Sequence, residues 1–458
     1  MPAIDSGDTA WVLASAAMVL LMTPGLAFFY GGMTRMKTVL NMIMMSFGAL
    51  AIVGVLWILY GYSEAFGNSV GGHGLVGNIA EFAGMKGLLG GPTSVAGITV
   101  GFDPSGVAVT HYIPQLAFVA FQCMFACITV ALISGAVADR IKFGSWLVFA
   151  GIWATLVYFP VAHWVFAFNG VTGPENIGGW IANKLKAIDF AGGTAVHINA
   201  GAAGLALALI VGKRVGWPNT PMKPHNLPLV MIGAGLLWFG WFGFNAGSAL
   251  AANQWSATVF VNTFVATCAA ALGWLFVERM RDGHATSLGM ASGVVAGLVA
   301  ITPSCSAVNP LGAIAIGVIA GATCALAVGL KYRFGFDDSL DVVGVHLVGG
   351  IVGTILIGIF ATSTAPGGVQ GLLYGGGLNQ LWRQLVGAGV VLTYSFTLTY
   401  LIGLILHKTI GLRIDHDDEI AGIDVTSHAE SAYEFDTKSG SFVGVGRSSL
   451  VGSSEAKS

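Results

Sequence analysis

The sequence predicts an all-α polytopic membrane protein. Eleven transmembrane helices are expected, as an inverted 5+5 repeat plus an eleventh helix, with the N-terminus outside and the C-terminus cytoplasmic. Three observations carry that expectation. Hydrophobic residues make up 55% of the 458-residue chain and charged residues only 9%, a balance foreign to ordinary soluble domains. Apolar runs of about 20 residues, enough to cross a bilayer roughly 30 Å thick, recur from residue 9 to residue 407. Lysine and arginine fall mostly on one side of those runs.

In order, the runs are 9–31, 39–63, 111–137, 145–168, 191–212, 227–250, 255–278, 285–302, 310–331, 342–361 and 384–407. Their odd number sets the two termini on opposite sides of the membrane. Thirteen Lys and Arg residues, from Arg35 and Lys37 to Lys408 and Arg413, share one side, and only Lys86, Lys184, Lys186 and Arg383 occupy the other. The richer side is the cytoplasmic one. The opening "MPAIDSGDTAW" carries no basic leader with a cleavage site, so the first run is expected to stay as a spanning helix. The outer loops 64–110, 169–190 and 362–383 are glycine-rich and read as compact caps over a mouth. Small residues four apart, as in Gly293/Gly297, Gly317/Gly321 and Gly349/Gly353, predict close helix contacts and little free lumen. Residues 1–407 therefore form the transmembrane domain. Residues 408–458 form a polar, acidic cytoplasmic tail, disordered at its end.

Charge and cysteine usage exclude other functions. A formal net charge of −2, without a basic stripe, rules out nucleic acid as a partner. The five cysteines, Cys123, Cys127, Cys268, Cys305 and Cys324, lack metal-ligand spacing and read as small core residues. No metal and no cofactor is expected, and no enzyme activity.

Two histidines interrupt this apolar pattern. "GGTAVHINAGAAG" (192–204) places His197 in the fifth run, and "VVGVHLVGGIVG" (342–353) places His346 in the tenth. Val196, His197, Gly201 and Gly204 in one segment answer Val345, His346, Gly350 and Gly353 in the other. Runs five and ten point in opposite directions, so the repeat brings the two rings together near the midplane. Ionisable groups at that depth are functional by default. Two unrelated core histidines, or a pair ligating a haem or metal, are the competing readings. Neither run carries a further deep ligand, and a paired imidazole lining a narrow path fits better. Asp189 and Asp341, upstream of the histidines, are read as structural acids at helix starts, accepting from free backbone N–H groups.

The segments "DFAGGTAVHINAG" (189–201), "GWFGFNAGS" (240–248), "FQCMFACIT" (121–129), "DVVGVH" (341–346) and "MTPGLAFFYGG" (22–32) resemble the ammonium transporter family, relatives of the Rhesus glycoproteins. The likeness runs from about residue 6 to residue 435. It implies one pore per subunit, a homotrimer in the cell (inner) membrane, and an ammonium/ammonia substrate, with lipid as the surrounding partner. Pore histidines would be His197 and His346, the phenylalanine gate Phe125 and Phe244 with Phe121 one turn above, and Trp241 a pore support. The outer ammonium-recruitment site would use Ser248 and an aromatic wall. Here the chain departs from the family: "HWVFA" stands where many members read "HWVWG", so Phe166 replaces the usual tryptophan, with Trp180 in the outer loop as a candidate substitute. Segment 411–435 resembles a regulatory region that packs on the neighbouring subunit and meets a PII-type signalling protein. The implied mechanism recruits NH4+, deprotonates it, passes NH3 along the histidines and, in one version, moves the proton separately. A sensor of the same fold and a haem-binding membrane enzyme stay open as alternatives at this point.

Overall fold

Apolar helices dominate the computed structural model, which describes residues 3–89, 96–102 and 108–433. In chain order they are α1 (Ser6–Met33), α2 (Met36–Phe66), α3 (Gln115–Val137), α4 (Phe143–Phe166), α5 (Gly193–Val211), α6 (Leu227–Gly247), α7 (Gln254–Asp282), α8 (Ser287–Ile301), α9 (Pro310–Phe334), α10 (Val343–Phe360) and α11 (Asn379–Thr409). Among the described residues, ten of these are long and apolar enough to cross a membrane, and α8 is the shorter one. Its 15 residues reach about 22 Å at 1.5 Å per residue. Almost every residue from Gly289 to Ile301 is buried, so α8 is encased by other helices, which satisfy the backbone beyond its ends.

Local chemistry fixes where helices begin. The Asp5 carboxylate accepts from the Asp8 N–H at 2.9 Å to open α1. Asn253 and Ser256 cap α7 reciprocally, and Asn309, followed by Pro310 in the first turn, opens α9. The third run begins later than its hydropathy suggests. Residues 111–113 belong to a hairpin of β1 (Ala96–Phe102) and β2 (Ala108–Ile113), paired antiparallel from Ala96 opposite Ile113 to Phe102 opposite Ala108. Pro114, extended at ψ 130°, then caps α3. Proline keeps its predecessor out of helical geometry, and a β-branched Ile113 suits the strand end.

Connections gather on two faces. On one, here called the hairpin face, the Ser69 N–H donates to the Ile177 carbonyl at 2.9 Å and the Trp180 N–H to Gly74 at 3.1 Å. On the other, the tail face, Arg214 grips Asp337 through Nε at 2.9 Å and Nη2 at 2.8 Å. Asp139 receives Arg35 Nε at 3.0 Å and Arg214 Nη1 at 3.4 Å. Burial alone would raise the Asp337 pKa, but the Arg214 bonds and the Arg140 charge outweigh it and hold the carboxyl below its ordinary value.

The C-terminal segment docks on the tail face of its own chain. Short helices α12 (His416–Ala421) and α13 (Ile423–His428) follow α11. Asp424 accepts from the Leu40 and Asn41 N–H groups at 3.0 and 2.8 Å, capping the α-helical part of α2 that begins at Val39, where Thr38 gives no side-chain bond. Glu419 accepts the Val215 N–H at 2.6 Å and pairs with Arg413 at 2.8 Å. The segment expected to pack on the neighbouring subunit thus packs here on its own chain, through Glu419 and Asp424, while Asp415, Asp417 and Glu430 stay exposed. The disordered end expected near 440–458 lies outside the described residues.

Candidate functional site

Each histidine sits in a π turn at the start of its helix, and an aspartate eight residues earlier builds that turn. Asp189 accepts the N–H groups of Gly192, Gly193, Thr194 and Ala195 at 2.6–3.2 Å, together with the Thr194 hydroxyl. Its role as a helix-start acid matches the reading of the sequence. Asp341 does not play that role. Its own φ is +62°, which turns it away, and its carboxylate pairs with Lys331 Nζ at 2.6 Å. Asp338 takes the capping position instead, accepting Val342 and Val343 N–H at 3.1 and 2.7 Å. Counting back eight residues from His346, as Asp189 lies from His197, finds it.

The glycines four residues after each histidine let the two segments close. A Cβ on Gly201 would lie 2.5 Å from the Leu347 nitrogen, and one on Gly350 would lie 3.1 Å from the His197 Cβ. With both absent, the helices interlock and the rings meet. His346 Nδ1 stands 3.3 Å from His197 Nδ1, with ring planes 24° apart and centroids at 5.4 Å. One nitrogen of that contact must donate and the other accept, so the neutral rings hold complementary tautomers. One Nε2 is then an acceptor and the other a donor. His197 Nε2 is buried and has no protein partner.

A wall of aromatic and aliphatic side chains surrounds the pair. Trp241 lies flat on His197 at 5.4 Å and 18°, and donates its Nε1–H to Thr302 Oγ1 at 2.8 Å. The Thr302 hydroxyl also bonds Asn245. Met22, Leu26, Phe29, Ile128 and Phe244 join His197, His346 and Trp241 around a space of about 10 Å³, and no side chain lining it is acidic or cationic apart from the histidines themselves. About one water-sized sphere fits.

Phe244 and Phe125 divide this lumen from a wider chamber. Their rings stack at 4.1 Å and 27°, and Phe121 meets Phe125 edge-on at 4.9 Å. Phe125 also lines the chamber, a vestibule of about 530 Å³, together with Phe166, Phe118, Phe190, Ser248 and Trp255. The sequence-predicted Ser248 and Phe166 are therefore brought together at one cavity. The Ser248 hydroxyl donates to the Phe244 carbonyl at 2.8 Å, linking the two sites. Trp180 lies elsewhere: its ring packs on Trp164 at 6.1 Å, its backbone is tied to Gly74, and it is not among the residues lining the vestibule. Trp255, missed in the sequence, contributes the tryptophan, stacked on Phe190 at 5.9 Å and 22°. Its signal was weak: an indole seven residues beyond Ser248, across the mostly apolar stretch 249–254.

Comparison with known proteins places this geometry in context. The Ammonium Transporter Family profile matches residues 10–433. An ammonium transporter of Mycobacterium tuberculosis is 63% identical over 443 residues, covering 95% of this chain and 92% of its own length. The crystal structure of Saccharomyces cerevisiae Mep2 superposes with a TM-score of 0.78 at 35% identity, over 90% of this chain and 91% of that one. A solved sensor Amt protein gives a TM-score of 0.80 at 29% identity, over 92% and 98% of the two chains.

Proposed function

The chain belongs to the ammonium transporter family, and we propose that it carries ammonium inward by taking up NH4+ and conducting NH3. One observation supports this reading above the rest: two imidazoles in Nδ1 to Nδ1 contact at 3.3 Å inside a lumen that is otherwise apolar.

The reasoning is energetic. A desolvated cation–π contact returns about 2 kcal/mol, whereas a charge at the bilayer centre costs from about 3 to more than 10 kcal/mol. The aromatic vestibule at Ser248, Phe166 and Trp255 therefore holds the cation without being able to carry it through. Deprotonation at the Phe125 and Phe244 pair leaves neutral NH3, which fits the narrow lumen. The free donor and acceptor on the two Nε2 atoms then suit a molecule with a lone pair and three N–H bonds. Potassium is rejected because it has no proton to leave behind. The released proton crosses separately, so that transport carries a current.

Orientation and assembly belong to the same proposal. The hairpin face is external and the tail face cytoplasmic, as the lysine and arginine distribution supports. Family membership supports a place in the cell (inner) membrane, a homotrimer and a PII-type partner at the tail face. The transmembrane body ends near residue 407 and the rest acts as a regulatory tail, a reading supported by the bonds of Glu419 and Asp424 to the tail face.

The test is current from proteoliposomes carrying the double variant His197→Ala/His346→Ala. Loss of the ammonium-evoked current, or new passage of potassium, is expected. An unchanged current with unchanged potassium rejection overturns the imidazole pathway.

A further inference from the structure

The vestibule carries the wrong charge for a cation entrance. Lys186 and Arg383 line it as cations, and Asp189 is the one carboxylate among its lining residues. The Asp189 oxygens are spent on the amides that start α5, and among the described residues no salt bridge joins it to either cation. One positive charge is left in excess at the mouth that must attract NH4+.

Gln380 ties the backbone of the exposed Lys186 to the start of α11, where Arg383 also stands. Gln380 and Arg383 are three residues apart in the first turns of α11, so their side chains share a face. Gln380 Nε2 donates to the Lys186 carbonyl at 3.3 Å, which brings the Lys186 backbone to that face. The start of α11 has no side-chain cap, adding the positive end of a helix dipole. Among the described residues, the Arg383 Nε atom is buried without a hydrogen-bond partner, while its guanidinium, which always carries charge, lies 5.8 Å from the Trp382 ring centroid. An N–H without an acceptor is costly, and the residue lines the cavity.

We propose that Arg383, Lys186 and the Gln380 end of α11 form a binding site for a small monovalent anion, chloride under ordinary conditions. A single negative charge matches the single positive excess among the lining side chains. This rests on the ammonium-transport reading for its consequence: the bound anion cancels the repulsion and lets NH4+ accumulate at Ser248 and Phe166. Anion and ammonium then promote each other's binding.

Two measurements test it. The first is the half-saturating ammonium concentration for transport, in chloride and in the weakly coordinating methanesulfonate at equal ionic strength. The wild type should need about threefold more ammonium without chloride, the order of effect of a unit charge roughly 10 Å away in a wet cavity. Arg383→Gln should match the chloride-bound wild type in both media. The second is anomalous diffraction from crystals of the full chain in bromide, with a peak expected beside Arg383 and lost in Arg383→Gln. Absence of that peak, or an equal chloride response in wild type and variant, overturns the site. Bromide beside Arg383 without any chloride effect on transport marks an adventitious ion only and overturns the coupling. Should the chain fail to transport ammonium, the transport reading falls, while the bromide experiment still decides the anion site.

Discussion

Trp241 lies flat against His197, with ring centroids 5.4 Å apart and planes inclined by 18°. The imidazole has no freedom to tilt toward that side, so the indole sets the direction in which the ring presents Nε2. What fixes the indole is one hydrogen bond, from its Nε1 to the Thr302 hydroxyl at 2.8 Å. Thr302 sits just beyond α8, and its hydroxyl also meets Asn245 at 3.2 Å. Thr302→Val keeps the volume and removes both contacts. The orphaned indole N–H should cost about 1–3 kcal/mol, read as a lowered unfolding temperature in detergent. Thr302→Ser should restore it. A valine variant as stable as the wild type would mean that packing alone holds Trp241.

The two π turns give a sharper comparison. Asp338 accepts two backbone N–H groups that open α10, whereas Asp341 pairs with Lys331 at a partly exposed site, its side chain 25% accessible. Asp338→Asn should therefore weaken the start of α10 by about 1–2 kcal/mol, the usual scale of a lost cap. Asp341→Asn should cost less, because the α10 cap stays in place and the Lys331 ammonium keeps its bond to the Asp338 carbonyl at 3.0 Å. Thermal unfolding of the two variants side by side checks the order, and the reverse order would return the capping role to Asp341.

How far the sequence spoke differs from residue to residue. His197 and His346 were legible because the chain writes the same pattern twice, and a repeat predicts a meeting without any knowledge of contacts. The glycines four residues later belong to that pattern, and the structure gives them a physical task, the close approach of α5 and α10. Asp338 was hidden by a nearer aspartate of the same type: spacing from the histidine picks the right one only when both segments are aligned on the ring. Trp255 and the tail acids were hidden for a different reason. Their partners are remote in sequence, and no local period records that Glu419 will meet Val215 or that Asp424 will cap α2. The hairpin at 96–113 was masked by composition, since its second strand runs into an apolar helix without a change in hydropathy.

Phe166 offers a direct test of the vestibule. It lines the cavity with Ser248 and Trp255, and an indole holds a cation more strongly than a phenyl ring, by roughly 0.5–1 kcal/mol. Phe166→Trp should lower the half-saturating ammonium concentration by about two- to fivefold, at 1.36 kcal/mol per factor of ten. Trp180→Phe should leave it unchanged, because that ring packs on Trp164 outside the cavity. A strong effect of Trp180→Phe with none at Phe166 would reverse the assignment made from the geometry.

The tail face yields a prediction with a defined pH dependence. Arg214 and Asp337 are 5% and 0% accessible and bond through two nitrogens. Asp337→Asn takes from a buried guanidinium the carboxylate it grips with two nitrogens and leaves it only Asp139 at 3.4 Å, at a cost of up to about 3–5 kcal/mol. Burial pushes the Asp337 pKa up, but the bonds from Arg214 and the charge of Arg140 prevail and set it below the ordinary 3.8. A carboxyl with a lowered folded pKa binds protons more weakly in the folded state than in the unfolded one. The stability it lends is complete above the ordinary value and drains away as pH falls through the folded one. Unfolding temperature measured from pH 7 down to pH 3 should therefore hold steady in the wild type and drop at the acid end. Asp337→Asn should start lower and lose less over the same range. Parallel curves for the two proteins would remove Asp337 from the acid transition.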